Sequence, residues 1–226
     1  MSETKANTTQ FQHEQIAQNL AEIKACLEEN TGLSVLPKKI LSLKSKLNAF
    51  EQVPRALDGH LKIYVPTITS LYFLSKENLR KYKDLAGVSE LLADLIYVLA
   101  KVRGYKSVAN ELSSDVYLVP RLVGLVELPE VKDCPSECYV LLLWLSRLVL
   151  VPFPLSTVQI GLDTHLFQIA LKNLALHSTA SKTQVISLTL LALLVMRPDC
   201  SHLLTQFFED TTMNWPVMEE NAKLGQ

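Results

Sequence analysis

Four helix stops give this chain its frame. Pro54, Gly104, Pro152 and Pro198 fall 50, 48 and 46 residues apart, and each closes a stretch of helically spaced apolar residues. Proline has no N–H to give to the turn before it, and glycine takes the positive φ that commonly ends a helix. Between consecutive stops there is room for about two helices of ordinary length. Only 7 of the 226 residues are glycine, under half of the usual share of about 7%. A leucine-rich chain so poor in glycine is built from helices, not from tightly turned strands.

A period just under 50 residues with two helices in each is close to that of helical-hairpin solenoids of the HEAT or armadillo kind, about 40 to 47. A repeat of this sort buries its apolar face only against its neighbours. The spacing therefore predicts an all-α helical-repeat solenoid over residues 10–210. Residues 1–9 read as a disordered lead and 211–226 as a polar tail containing Trp215, or as the end of a fragment.

The individual helices follow from periodicity and caps. Thr8 or Thr9 caps a first helix to about Glu29, with Ile16, Leu20, Ile23 and Leu27 on one face and Gly32 beyond its end. A second spans Leu36 to Phe50, with Leu36, Ile40, Leu43, Leu47 and Phe50 inward and Lys38, Lys39, Lys44 and Lys46 in solvent. Asp58 is a plausible N-cap for a third, facing the core with Leu61, Val65, Ile68 and Leu71, and Pro66 demands a late start or a kink there. Ser75 to Lys83, with Lys76, Arg80, Lys81 and Lys83, reads as solvent-facing. Leu91 to Arg103 is apolar at Leu92, Leu95, Leu99 and Val102, with Leu91, Ile96 and Val98 off that face, as a helix buried on several sides requires. Lys101 and Arg103 sit in its last turn, where cations suit the helix dipole. Tyr105 opens a short helix. Ser114 or Asp115 caps the next, whose face is Val116, Val119, Val123 and Val126, and a loop from Leu128 to Pro135 follows. Ser136 caps a helix holding Trp144, with Glu137 at its positive end. Asp163 or Thr164 starts a helix facing inward with Leu166, Ile169, Leu171 and Leu174. Ser178, Thr179 and Ser181 start another, Val185 to Met196, and a short helix follows around Leu203 to Phe208. The Trp144 and Val185 helices, apolar nearly all round, have the look of inner helices of the stack.

The search for chemistry is sparse. Gly104-Tyr105-Lys106-Ser107 lacks the upstream glycine and spacing of a phosphate loop. There is no dinucleotide glycine motif and no nucleophile elbow. Cys134 and Cys138 have no second ligand pair at zinc spacing, and the four cysteines, Cys26, Cys134, Cys138 and Cys200, are too dispersed for a disulfide framework. The five histidines are scattered. No enzyme, cofactor or metal is expected. A net charge of -1 gives no footprint for nucleic acid. The longest apolar run, Tyr139 to Val151, is interrupted by Arg147 and is shorter than the roughly 20 residues a bilayer needs. A cytoplasmic protein with reduced thiols and no membrane insertion is the expectation.

Tyr97-Val98-Leu99-Ala100-Lys101-Val102-Arg103-Gly104-Tyr105-Lys106 is similar to a block near the N-terminus of the tubulin-folding cofactor D family. Tyr139-Val140-Leu141-Leu142-Leu143-Trp144-Leu145-Ser146, with its exit at Val151-Pro152-Phe153, resembles a second. Pro54-Arg55-Ala56-Leu57-Asp58-Gly59-His60-Leu61 and Arg197-Pro198-Asp199 are looser echoes in the same order. The resemblance spans residues 36 to 210, and the family's members are much longer, so the chain reads as an N-terminal fragment or a shortened relative. It implies a tubulin chaperone that binds β-tubulin, takes part in assembly and disassembly of the tubulin dimer, and works with other tubulin-folding cofactors and an Arf-like small GTPase. It also implies GTPase activation only together with those partners, and a cytoplasmic, cytoskeleton-associated location.

The most family-like polar residues are Lys101, Arg103, Tyr105 and Lys106, clustered at a helix end, and these are the expected partner contacts. Capping is the structural alternative. Two other functions stay open: a generic helical-repeat scaffold or small-GTPase adaptor, and an inserted catalytic arginine at Arg103 or Arg147. Trp144, set among leucines, is expected to be core with one partner for its indole N–H.

Overall fold

The computed structural model describes residues 2–79, 87–176 and 181–209. Among them every regular element is helical. Four helices stack side by side in chain order: α2 (Leu36–Asn48), α4 (Val88–Arg103), α8 (Pro135–Leu148) and α10 (Lys182–Val195). A second row packs against this ladder. It runs α1 (Ser2–Glu29), α3 (Leu61–Leu79), α5 (Tyr105–Glu111) with α6 (Val119–Val126), and α9 (Leu162–Leu176). Short α7 (Pro129–Lys132) links α6 to α8, and residues 202–209 form α11. Each expected stop follows a ladder helix: Pro54 after α2, Gly104 after α4, Pro152 after α8 and Pro198 after α10. The fold is the helical-repeat solenoid that this spacing implies.

Faces set by periodicity are the core faces. Ile16, Leu20, Ile23 and Leu27 are buried on α1, and Leu36, Ile40, Leu43 and Leu47 on α2, with Phe50 just after it. The α4 helix buries Leu92, Leu95, Ile96, Val98, Leu99 and Val102 between α2, α3 and α8. It closes at Gly104, whose φ of 105° belongs to a region that side chains with a Cβ avoid. Gly104→Ala is expected to cost about 1–3 kcal/mol, read as a lower urea midpoint at unchanged m-value.

Several expected details differ. The first helix starts at Ser2, so the residues taken for a disordered lead continue α1 and neither Thr8 nor Thr9 is its N-cap. Asp58 does not cap α3, which begins at Leu61 and runs through Pro66; its carboxylate faces Arg103 instead. Lys39 and Lys44 are half-buried, because they pair with Glu22 of α1 and Asp94 of α4. Lys76 is half-buried and turned inward to Glu137 rather than solvent-facing. The 128–135 loop contains α7, which buries Val131. Pro135 starts α8 and Ser136 gives no cap. On α6 Val116 lies before the helix and Leu122 completes its buried face. On α9 Phe167 and Ala170 are buried where Leu171 and Leu174 are only half so. Unlike α8, α10 is not buried all round: Val185, Leu188 and Met196 at its end are exposed. Arg80, Lys81, Lys83, Ser178, Thr179 and the 211–226 tail with Trp215 lie outside the described residues.

A histidine fastens α1 to the array. His13 is buried and stacks on His60 with ring centroids 3.5 Å apart. Its Nε2–H donates to the Ala56 carbonyl at 3.1 Å, which leaves Nδ1 to accept from the Tyr64 hydroxyl at 2.7 Å. Both bonds use the neutral ring. Burial, and then the neighbouring His60, push the His13 pKa down. A depressed histidine pKa stabilises the fold above the unfolded value of about 6.5, and that contribution is lost as pH falls below it. Urea melts at pH 7.5 and 5.5 are expected to show a larger acid loss for the native chain than for His13→Asn.

Candidate functional site

The end of α4 is where the expected contact residues converge. Lys101 projects from the last turn and forms an ion pair with Glu51, Nζ to Oε1 2.5 Å, and this carboxylate pushes the lysine pKa up. Arg103 donates to Asp58, and the guanidinium holds that carboxyl below its usual range. Both pairs join α4 to the connection before α3, so the two cations clasp one repeat to the one before. The same device recurs one pair of repeats later. Arg197 donates to the carbonyls of Val149, Val151 (2.9 Å) and Phe153 (2.8 Å), and Asp199 accepts from the Leu155 amide at 3.1 Å. Thus the family-like segments meet in space as repeat-to-repeat clasps.

Beside the α4 clasp lies a cavity of about 210 Å³. Ala100, Lys101, Gly104 and Tyr105 form one wall, and Lys182, Val185, Ile186 and Thr189 of α10 form the other, with Tyr139 of α8 between them. The α4–α8–α10 stacking order makes this site, because α8 is almost wholly buried and leaves a furrow between its two neighbours. Tyr97 and Tyr139 meet edge to face at 5.2 Å, and the Lys182 ammonium lies 5.1 Å above the Tyr97 ring. A cation over a ring face is an attractive and orienting contact. Tyr105 is 40% exposed at the mouth. Burial pushes the Tyr139 hydroxyl up to about 12, so it stays a neutral hydrogen-bonding group.

Of the four expected contact residues, the structure brings Lys101 and Tyr105 to this cavity. Arg103 turns to Asp58, and Lys106 is exposed on the next residue of α5 without lining the cavity. Tyr139, Lys182, Val185, Ile186 and Thr189 were not legible as site residues, because they come from helices that only stacking brings near Tyr105. The surplus of apolar positions around α10, more than one core face needs, was the available signal. Neither candidate catalytic arginine stands free at a rim: Arg103 is paired, and Arg147 is half-buried in α8. Cys138 is buried, with its thiol donating to Asn173 at 3.2 Å and pushed up to about 12 by burial; a protonated thiol is a poor nucleophile or ligand. Among the described residues no helix is long and apolar enough to cross a membrane.

A family model described as tubulin-specific chaperone D-like, ARM repeat matches residues 47–214. The chain belongs to that family. The match takes in α3 to α11 and hence the whole cavity, while α1 and nearly all of α2 precede it. Tubulin-folding cofactor D of Schizosaccharomyces pombe is 29% identical over 164 residues, which cover 72% of this chain and 14% of that protein. The chain thus corresponds to a small part of the length of that relative. No solved structure matches it.

Proposed function

We propose that the chain is a tubulin-folding cofactor segment that binds β-tubulin and takes part in assembling and disassembling the tubulin dimer in microtubule biogenesis. It is a binding protein and not an enzyme, and it acts on GTP hydrolysis only as an activator alongside other tubulin-folding cofactors. An Arf-like small GTPase is a further partner, and the cytoplasm, with the microtubule cytoskeleton, is its place of action. The observation that carries the reading is the family match over the repeats that build the cavity. That cavity has the ingredients of a protein contact: an exposed tyrosine, lysines at its rim and an apolar floor, with aromatic side chains the commonest anchors of interfaces.

The test is size-exclusion chromatography of the 226-residue chain with native αβ-tubulin and with β-tubulin released from the chaperonin. A stoichiometric complex that Tyr105→Ala weakens supports the proposal. A folded chain that shifts neither form of tubulin overturns it, and leaves a helical-repeat scaffold or small-GTPase adaptor as the reading.

A further inference from the structure

We infer that the furrow between α4, α8 and α10 receives an extended acidic segment of a partner protein, with one bulky apolar side chain of that segment seated in the cavity. This rests on the reading of the furrow as a partner-binding site, and not on the partner being β-tubulin.

Size argues for a side chain over a small molecule. Ligand pockets commonly enclose about 300–1,000 Å³, and this cavity encloses about 210 Å³. Its floor is apolar: Ala100, Val185, Ile186 and the ring of Tyr139. Its rim is cationic. Lys101 has its charge matched by Glu51, but among the described residues no carboxylate lies within ion-pair range of Lys182. Lys182 has its ammonium 5.1 Å above the Tyr97 ring, a contact that orients its charge. The uncompensated Lys182 beside an apolar hole complements a carboxylate next to an apolar anchor. The apolar surface also continues out of the cavity along α10, through Val185, 56% exposed, and Leu188, 54% exposed, to Met196, 80% exposed. An extended segment can follow such a track, whereas a free anion or a compact metabolite has no use for it.

The probe is a fluorescein-labelled peptide of four glutamates flanking a central phenylalanine, titrated with the 226-residue chain and read by anisotropy. Two controls replace the glutamates by glutamine or the phenylalanine by glycine. The expected result is saturable binding, weakened at least about tenfold in either control and in Lys182→Glu, and changed less than about threefold in Lys182→Arg, since like charge across the contact is costly. Lys182 is exposed at the first position of α10, where an acid suits the helix dipole, so the reversal leaves the fold intact. Equal binding of the glycine control, or equal competition by a single-stranded oligonucleotide, would reveal mere polyanion attraction and overturn the inference. Lack of binding, or indifference to Lys182→Glu, overturns it too. Running Lys182→Glu in the tubulin chromatography separates the two readings. A persistent tubulin complex with no peptide binding removes the furrow inference alone. Furrow-dependent peptide binding without a tubulin complex removes the tubulin reading alone.

Discussion

Glu137→Ala is expected to destabilise the fold by about 3–5 kcal/mol, the cost of leaving a buried charge without its partner. Glu137 is 2% exposed near the start of α8. Its Oε1 accepts from the Tyr72 hydroxyl at 2.7 Å and from the Lys76 ammonium at 2.8 Å, both on α3. The Lys76 side chain is only 10% exposed. Truncating the carboxylate strands that ammonium and the hydroxyl together, in a protein whose total stability is of the order of 5–15 kcal/mol. A urea titration followed by circular dichroism at 222 nm gives the loss directly. The cause is checked by a double substitution. If the loss is a stranded charge, Lys76→Met recovers most of it in the Glu137→Ala background, because replacing both partners of a buried pair is often nearly neutral. If the loss is only a cavity, Lys76→Met adds to it.

That pair marks the limit of what the residues alone reveal. Helix faces were legible because an apolar stripe at 3.6-residue spacing is a local property, and Leu92, Leu95, Leu99 and Val102 carry it unambiguously. Gly104 was legible because a positive φ after a cationic last turn is a local demand. Tyr72 and Glu137 are 65 residues apart and Arg103 and Asp58 are 45 apart. Nothing in the local charge pattern of Ser75 to Lys83 distinguishes a solvated lysine from one turned inward to a carboxylate on another repeat. The same asymmetry governs the site. Lys101 and Tyr105 stood out as family-like residues at a helix end. Lys182 and Val185 face them only because α8 sinks between α4 and α10, which is a matter of stacking order. A helix apolar on all sides has two readings, enclosed or half-open, and α8 and α10 take one each.

The second large effect concerns the centre of the array. Trp144→Ala is expected to cost about 3–5 kcal/mol, the range for removing a large buried aromatic side chain. Trp144 is 2% exposed, and its ring centroid lies 5.4 Å from that of Phe73 on α3. Its indole N–H donates to the Ser113 carbonyl at 2.8 Å, which pins the connection between α5 and α6 to the ladder. One side chain therefore holds three separate parts of the chain together: α3, the 113 connection and α8. Trp144→Phe keeps most of the volume but no donor, and the Ser113 carbonyl sits on an exposed residue where water can serve it. A cost of about 1–2 kcal/mol is expected for that variant, mostly from lost contact area. Circular dichroism melts order the three proteins. Trp144 is not among the residues lining the furrow, so well below its melting temperature Trp144→Phe is expected to bind the acidic peptide as the native chain does. Loss of peptide binding in a folded Trp144→Phe would mean that the 113 connection sets the furrow's shape through Tyr105 and α5, which would make this tryptophan a positioning residue as well as a core one.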